Sequence, residues 1–216
     1  MIDYKKFKFV SLISDGLDSP VASFLTIKKG YSPIYLSFLT EKDFENEMKQ
    51  KITKIINRIS NLTNSGYIIY FINHTKSLDF FKSHFDRKLT CILCKRTMLR
   101  TAKRIGEIEN TKIIVTGDIL GEQASQTLDN LFAFNDITKN SIMLRPLIGW
   151  NKLDVIDLNK KIGLYDICSQ SIASCSYAPK YPETHAKLFE IEKIEKKIDF
   201  EIFIKESIKQ ASILRA

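Results

Sequence analysis

The stretch FVSLISDGLDSPVASFL, Phe9 to Leu25, runs an apolar segment into a small polar turn and then into an apolar helical pattern. Ser14, Gly16, Asp18 and Ser19 in that turn are residue types suited to holding a phosphate. Glycine lets the backbone turn tightly and come close to a ligand. The two hydroxyls donate hydrogen bonds. A helix starting just beyond offers open N–H groups and the positive end of its dipole. No Gly-Lys-Ser/Thr follows, so this is not the nucleoside-triphosphatase P-loop. A Gly/Asp/Ser turn that merely caps a helix is the bland alternative. Four cysteines form a second constellation. Cys91 and Cys94 make CILC, and Cys168 and Cys175 bound CSQSIASC. Two thiolates with two residues between them grip one metal ion or two corners of a cluster. A four-cysteine zinc site is one option, although the second pair is spaced more widely than a zinc knuckle. A redox Cys-x-x-C is another.

These residues need elements to position them, and strands alternate with helices along the chain. Apolar runs bounded by turns mark strands at Phe7–Ile13, SPIYLSFL, YIIYFI, KIIVTGD and IMLRPL. Helical spacing marks Ser19–Lys29, with Pro20 suited to a first turn. It also marks Lys42–Ile59, with Ile52, Ile55, Ile56 and Ile59 on one side, and about Leu93–Ile108. Further helices are expected at Ser125–Phe134 and Leu153–Ile162. The pattern predicts an α/β fold: a doubly wound, parallel five-stranded sheet with helices on both faces. In such folds ligands sit at the carboxyl ends of strands, where the first strand meets the first helix. After SYAPKYP the chain turns charged and helix-prone, with Leu188, Ile191, Ile194, Ile198 and Phe200 as its apolar side. This predicts a main domain over 1–180 and a C-terminal helical extension over 181–216.

The chain has 216 residues, 44% of them hydrophobic, enough for one domain with a real core. No apolar run approaches the roughly 18–20 residues of a membrane span, and the N-terminus lacks a secretory signal. A cytoplasmic protein is therefore expected, and four cysteines without an export signal favour metal or catalysis over disulfides. The net charge of +8 fits contact with a polyanion, or simply solubility. Lys95, Arg96, Arg100, Lys103 and Arg104 are one candidate basic surface. The tail lysines Lys193, Lys196, Lys197, Lys205 and Lys209 are another. His74, His84 and His185 sit in unremarkable contexts and are read as structural or surface residues.

SDGLDSPVA resembles the SGGxDS pyrophosphate loop of the PP-loop ATPases, and most of all the ThiI branch, the tRNA 4-thiouridine synthases. TGDILGEQASQTLDNL, Thr116 to Leu131, and RPLIGWNKLDVIDLNKKIGLYDI, Arg145 to Ile167, resemble two further ThiI segments in the same order and spacing. The resemblance implies an adenine nucleotide alpha hydrolase-like fold and an ATP-dependent sulfurtransferase. Uracil O4 of a tRNA would attack the α-phosphate of ATP, pyrophosphate would leave, and a sulfur nucleophile would then displace AMP. It implies that Ser14, Gly16, Asp18 and Ser19, in a loop that includes Asp15, hold the ATP phosphates, that Gly117 and Asp118 join them at the nucleotide, that Asp118 binds the Mg²⁺ that neutralises pyrophosphate, and that Asp18 and Asp118 are catalytic. Ser125, Gln126 and Thr127 would line the site from the next helix N-terminus. Arg145 would meet a phosphate or the tRNA backbone. Asp15 departs from the pattern, which has glycine there. Aspartate tolerates left-handed backbone, but its charge opposes the nucleotide by roughly 1–4 kcal/mol unless it points outward or shares the Mg²⁺. ATP is still expected to bind.

ThiI proteins of the archaeal type have a CxxC and one later cysteine that hold an iron–sulfur cluster. The resemblance therefore makes Cys91, Cys94 and Cys175 ligands of a [4Fe–4S] cluster, with Cys175 also catalytic. Cys168 is the rival third ligand and zinc the rival metal. One iron of a three-cysteine cluster is open and can hold hydrosulfide. Full ThiI proteins carry a THUMP region before this domain, and some a rhodanese domain after it. A stand-alone catalytic domain is expected here, with tRNA presented by a separate THUMP-type protein, by basic surfaces, or across a homodimer. A separate sulfur donor is a further expected partner. An adenylating enzyme acting on a small molecule is one alternative. A non-catalytic nucleotide- or cluster-binding subunit of a thiolation enzyme is the other.

Overall fold

The computed structural model describes residues 7–40, 45–170, 172 and 175–216. The first strand β1 (Lys8–Leu12) leads into helix α1 (Asp18–Ile27), and β2 (Ser32–Leu39) into α2 (Glu45–Thr63). The expected start of α2 at Lys42 lies outside the described residues. Next come β3 (Ile68–Asn73), α3 (Thr75–His84) and α4 (Thr90–Ile108), then β4 (Ile113–Val115), α5 (Leu128–Phe132) and β5 (Ile142–Leu144). The chain continues with α6 (Lys152–Lys161), α7 (Tyr165–Cys168), α8 (Leu188–Glu195), α9 (Phe200–Lys209) and a last strand, β6 (Ser212–Arg215).

The sheet order is β5-β4-β1-β2-β3-β6. Strands β1 to β5 run parallel, as expected. The expectation of five strands is corrected to six. Strand β6 pairs antiparallel with β3, Ile69 opposite Leu214 and Phe71 opposite Ser212. The pairing continues beyond the strand, where the Tyr67 N–H donates to the Ala216 carbonyl at 2.7 Å. A Cβ on Gly66 would stand 2.8 Å from that same oxygen, so only glycine lets the last residue dock there.

Alternation along each strand splits the core into two layers. Val10, Leu12, Ile34, Leu36, Tyr70 and Ile72 face one side, packed by Leu78, Leu93, Leu99, Ile105, Ile191 and Ile198 from α3, α4, α8 and the turn after it. Phe9, Ile13, Tyr35, Ile69 and Phe71 face the other, packed by Val21, Ile52, Ile55, Ile56, Ile59 and Val155 from α1, α2 and α6. Both faces are covered, which is why the strands read as near-continuous apolar runs. The helix expected over Ser125–Phe134 is interrupted. A 3-10 turn, Ala124–Gln126, ends at Thr127, which is extended (ψ 158) and whose hydroxyl accepts from the Asn130 N–H to start α5.

Arg96 was expected on a basic surface, but it is fully buried on α4. Its guanidinium bonds both oxygens of Asp136 (2.8 and 2.7 Å), both of Glu195 (2.7 and 2.6 Å) and the Ala133 carbonyl. Arg100 shares Glu195 and lies 4.0 Å over the Phe200 ring. Bidentate geometry of this kind is what makes a buried guanidinium tolerable. These ions join α4 to α8 and to the α5–β5 connection.

Arg96→Ala strips a buried pair of one partner, which costs about 3–5 kcal/mol. Its melting temperature, read by circular dichroism, falls by about 6–20 °C for a chain of this size. His74, at the β3–α3 corner, is buried, and burial lowers its pKa to about 4. Between about pH 6.5 and that value the unfolded chain binds a proton that the folded chain does not, so stability falls on acidification. His74→Leu flattens this part of the stability–pH curve, as measured by urea unfolding.

Candidate active site

Strand order reverses between β1 and β4, so a crevice opens at their carboxyl ends. A cavity of about 330 Å³ lies there, lined by Ser14, Gly16, Asp18 and Ser19 from the β1–α1 corner and by Gly117 and Asp118 after β4. Gln123 and Gln126 line it from the following turn, and Lys95 and Met98 from α4. The corner is braced by its own serines. The Ser19 hydroxyl accepts from the Ser14 N–H at 2.9 Å and lies 3.1 Å from the Ser14 hydroxyl. No side chain caps α1, leaving its first N–H groups to the cavity. The buried Gln126 Oε1 also has no hydrogen-bond partner among the described residues. Gly117 is set by close approach: a Cβ there would meet Ser19 N at 2.6 Å and Ser19 Cα at 2.7 Å. Neither Asp15 nor Gly16 has a positive φ, so left-handed tolerance is not what either position uses. A Cβ on Gly16 would meet only Ser14 Oγ, at 3.6 Å. Its missing side chain leaves the mouth open.

Each acid of the corner has a cation. Asp118 is nearly buried, with Lys95 Nζ at 3.0 Å, the Thr116 hydroxyl at 2.7 Å and Arg145 Nε at 3.4 Å. Arg145 Nε is within ion-pair distance but makes no aligned hydrogen bond. Burial alone would raise the Asp118 pKa, but Lys95, Thr116 and Arg145 outweigh it and hold the carboxyl below its usual range. Asp18 pairs with Lys152 at the start of α6 at 2.5 Å. The buried Asn159 amide on α6 donates to the Leu17 carbonyl at 2.8 Å, fixing the corner from behind. Asp15 turns away from the cavity and pairs with Lys51 of α2 at 2.8 Å.

Cys91 and Cys94 lie on the first turns of α4, and Met98, one turn beyond Cys94, lines the cavity. Burial raises the pKa of both thiols, and the thiol of Cys175 pushes each further up. The three are thus close enough to interact. Cys168 is elsewhere: it is buried in the layer of Val21 and Ile55, whereas Cys94 packs against the opposite layer. Burial, with Asp15 nearby, pushes its thiol up to about 12 despite the opposing pull of Lys51. Among the described residues no three His, Cys, Asp or Glu side chains converge on a single ion position.

Some expected residues lie off the cavity. Ser125 is not among its lining residues, and the Thr127 hydroxyl donates to the Thr184 carbonyl at 2.6 Å while capping α5. Lys95, expected on a basic surface, points inward to Asp118. Lys51, Lys152 and Gln123 were not singled out. Lys152 had a signal, since it lies in the motif beginning at Arg145. Lys51 had the subtler one of a lysine beside the isoleucine stripe of α2.

The family model described as "Thiamine biosynthesis protein (ThiI)" matches residues 5–200. A probable tRNA sulfurtransferase of Methanosarcina mazei is 38% identical over 210 residues, covering 96% of this chain and 51% of that protein. One of Methanocaldococcus jannaschii is 38% identical over 196 residues, covering 88% and 50%. The chain spans about half the length of these curated relatives. A solved 4-thiouridine synthetase–RNA complex with bound ATP superimposes with a TM-score of 0.91 at 27% identity, covering 97% of this chain and 55% of that one. The resemblance read in the three motifs therefore extends over nearly the whole described fold, and the chain belongs to the ThiI family.

Proposed function

We propose that this chain is the ATP-using part of a tRNA sulfurtransferase, adenylating a uridine and replacing its oxygen with sulfur. One observation carries the reading. Helix α4 bears Cys91 and Cys94 on its first turns and, one residue on, the Lys95 that reaches Asp118 in the cavity at the uncapped start of α1. The cysteine-bearing turns of α4 thus run directly into Lys95 and Met98, which line the cavity, although no cysteine itself lines it.

In this proposal the open N–H groups of α1, with Ser14, Gly16 and Ser19, hold the ATP phosphates. Asp118, beside Gly117, and Asp18 take the Mg²⁺, and Lys95 and Lys152 transfer from these carboxylates to the phosphate oxygens. Gln126 uses its unpartnered oxygen on the ligand, and Ser125 and Thr127 support that turn. Uracil O4 attacks the α-phosphorus, the bond to the bridging oxygen breaks, and pyrophosphate leaves. Adenylation makes that oxygen a good leaving group, and attack of a sulfur nucleophile at the base carbon releases AMP. Cys91, Cys94 and Cys175 are the sulfur-bearing side. With Cys168 on the other face of the sheet, three thiols remain, a donor set suited to a [4Fe–4S] cluster rather than to a closed four-cysteine zinc site. Such a cluster supplies an iron without a protein ligand, where sulfide can bind. The tRNA is presented by a THUMP-type region or protein or by a second copy of this chain, and sulfur comes from a separate donor.

The test is anaerobic incubation with tRNA, ATP, Mg²⁺ and sulfide, following pyrophosphate release and thiolated uridine. No pyrophosphate release at millimolar ATP, with an RNA-presenting partner supplied, defeats the proposal. Asp118→Asn lowers pyrophosphate release on the order of a hundredfold, because the metal's charge stabilisation is lost. Cys175→Ala abolishes thiolation while pyrophosphate release stays within about threefold, and Cys168→Ala preserves both.

A further inference from the structure

Lys51 carries a charge on the apolar face of a helix. It adjoins Ile52, Ile55 and Ile56 on α2, and its side chain is only 8% exposed. Lysines are almost never buried unless paired. The ammonium donates to Asp15 Oδ2 at 2.8 Å and to the backbone carbonyl of Gln170. Asp15 belongs to the β1–α1 corner. Gln170 lies just after α7, on the stretch that leads to Cys175. The Cys168 thiol lies near both charges and is held neutral by burial. Asp15 and Lys51 are therefore one anion matched to one cation. Ser14 and Gly16, on either side of Asp15, line the cavity, and Asp15 does not.

An acid in a polyphosphate loop is otherwise a handicap. A free carboxylate within about 4 Å of a phosphate weakens binding by roughly tenfold to a thousandfold, depending on screening. Resting on the reading of this corner as the ATP site, we infer that Lys51 is a positioning residue for nucleotide binding: it draws Asp15 out of the cavity and cancels its charge, so that a loop carrying an acid still accepts a triphosphate. The same ammonium ties that loop to the chain leading to the third thiol.

The experiment is ATP affinity of the full chain by calorimetry with Mg²⁺, beside a thermal melt of each variant. Lys51→Met raises the Kd about tenfold or more, because Asp15 loses its partner. Lys51→Gln keeps a donor for the Gln170 carbonyl but not the charge, and it raises the Kd similarly. Asp15→Asn alone stays within about threefold of wild type, and Asp15→Asn combined with Lys51→Met returns to that range. Recovery in the double variant is what a merely structural lysine would not give. A folded Lys51→Met chain with wild-type affinity overturns the inference. So does a double variant as weak as the single one, or loss of the fold in both Lys51 variants and in the double. A wild-type chain that binds no ATP at millimolar nucleotide fails instead the reading of the corner itself, and that failure is seen without any variant.

Discussion

The site depends on one close approach. Where the chain leaves β4, the backbone at Gly117 passes so near Asp18 and Ser19 that no side chain fits between them. This contact joins two crossovers that leave the sheet in opposite directions. It brings Asp118 to the uncapped start of α1, and everything else in the crevice is arranged around the two. The Asn159 amide holds the other side of that helix start through the Leu17 carbonyl. A corner clamped in this way presents its N–H groups in a fixed direction, which is what an anion site needs before the anion arrives.

Charge is balanced locally rather than across the surface. Three acids, Asp15, Asp18 and Asp118, lie within or beside the corner, and each meets a cation from a different element: Lys51 of α2, Lys152 of α6, and Lys95 of α4 together with Arg145. These pairs are not equivalent. Asp18, Asp118 and Lys95 line the cavity, so the pairs of Asp18 and Asp118 stand at its wall. The Asp15 pair lies outside it and is buried on the lysine side. The acid in this loop is paired with a lysine thirty-six residues away in sequence.

Much of the fold was legible because both faces of the sheet are covered. The buried strands are plain apolar runs, and SPIYLSFL coincides with β2. Strand β6 was not legible. SILR is short and exposed along its length, and it becomes a strand only because β3 offers it an unpaired edge. The break at Thr127 was hidden for a similar reason. Its hydroxyl accepts from the Asn130 N–H to cap α5 and also donates to the Thr184 carbonyl, a partner fifty-seven residues away in sequence.

The amino-acid order by itself determined the alternation of strands and helices, the polar turn after the first strand, and the three motifs that mark the family. Those are local or linear properties, set by side-chain period and residue type. The tertiary structure decided that Cys168 and Cys94 part company, since Cys168 is buried in one layer of the core and Cys94 packs against the other, while Cys175 is exposed. It also decided which basic residues are surface and which are not. Arg96 and Lys95 are neighbours in one run, yet one is buried among Asp136 and Glu195 and the other reaches Asp118. Charge identity is written in sequence, but its partner is chosen by the folds of distant segments, and only the partner tells what the charge does.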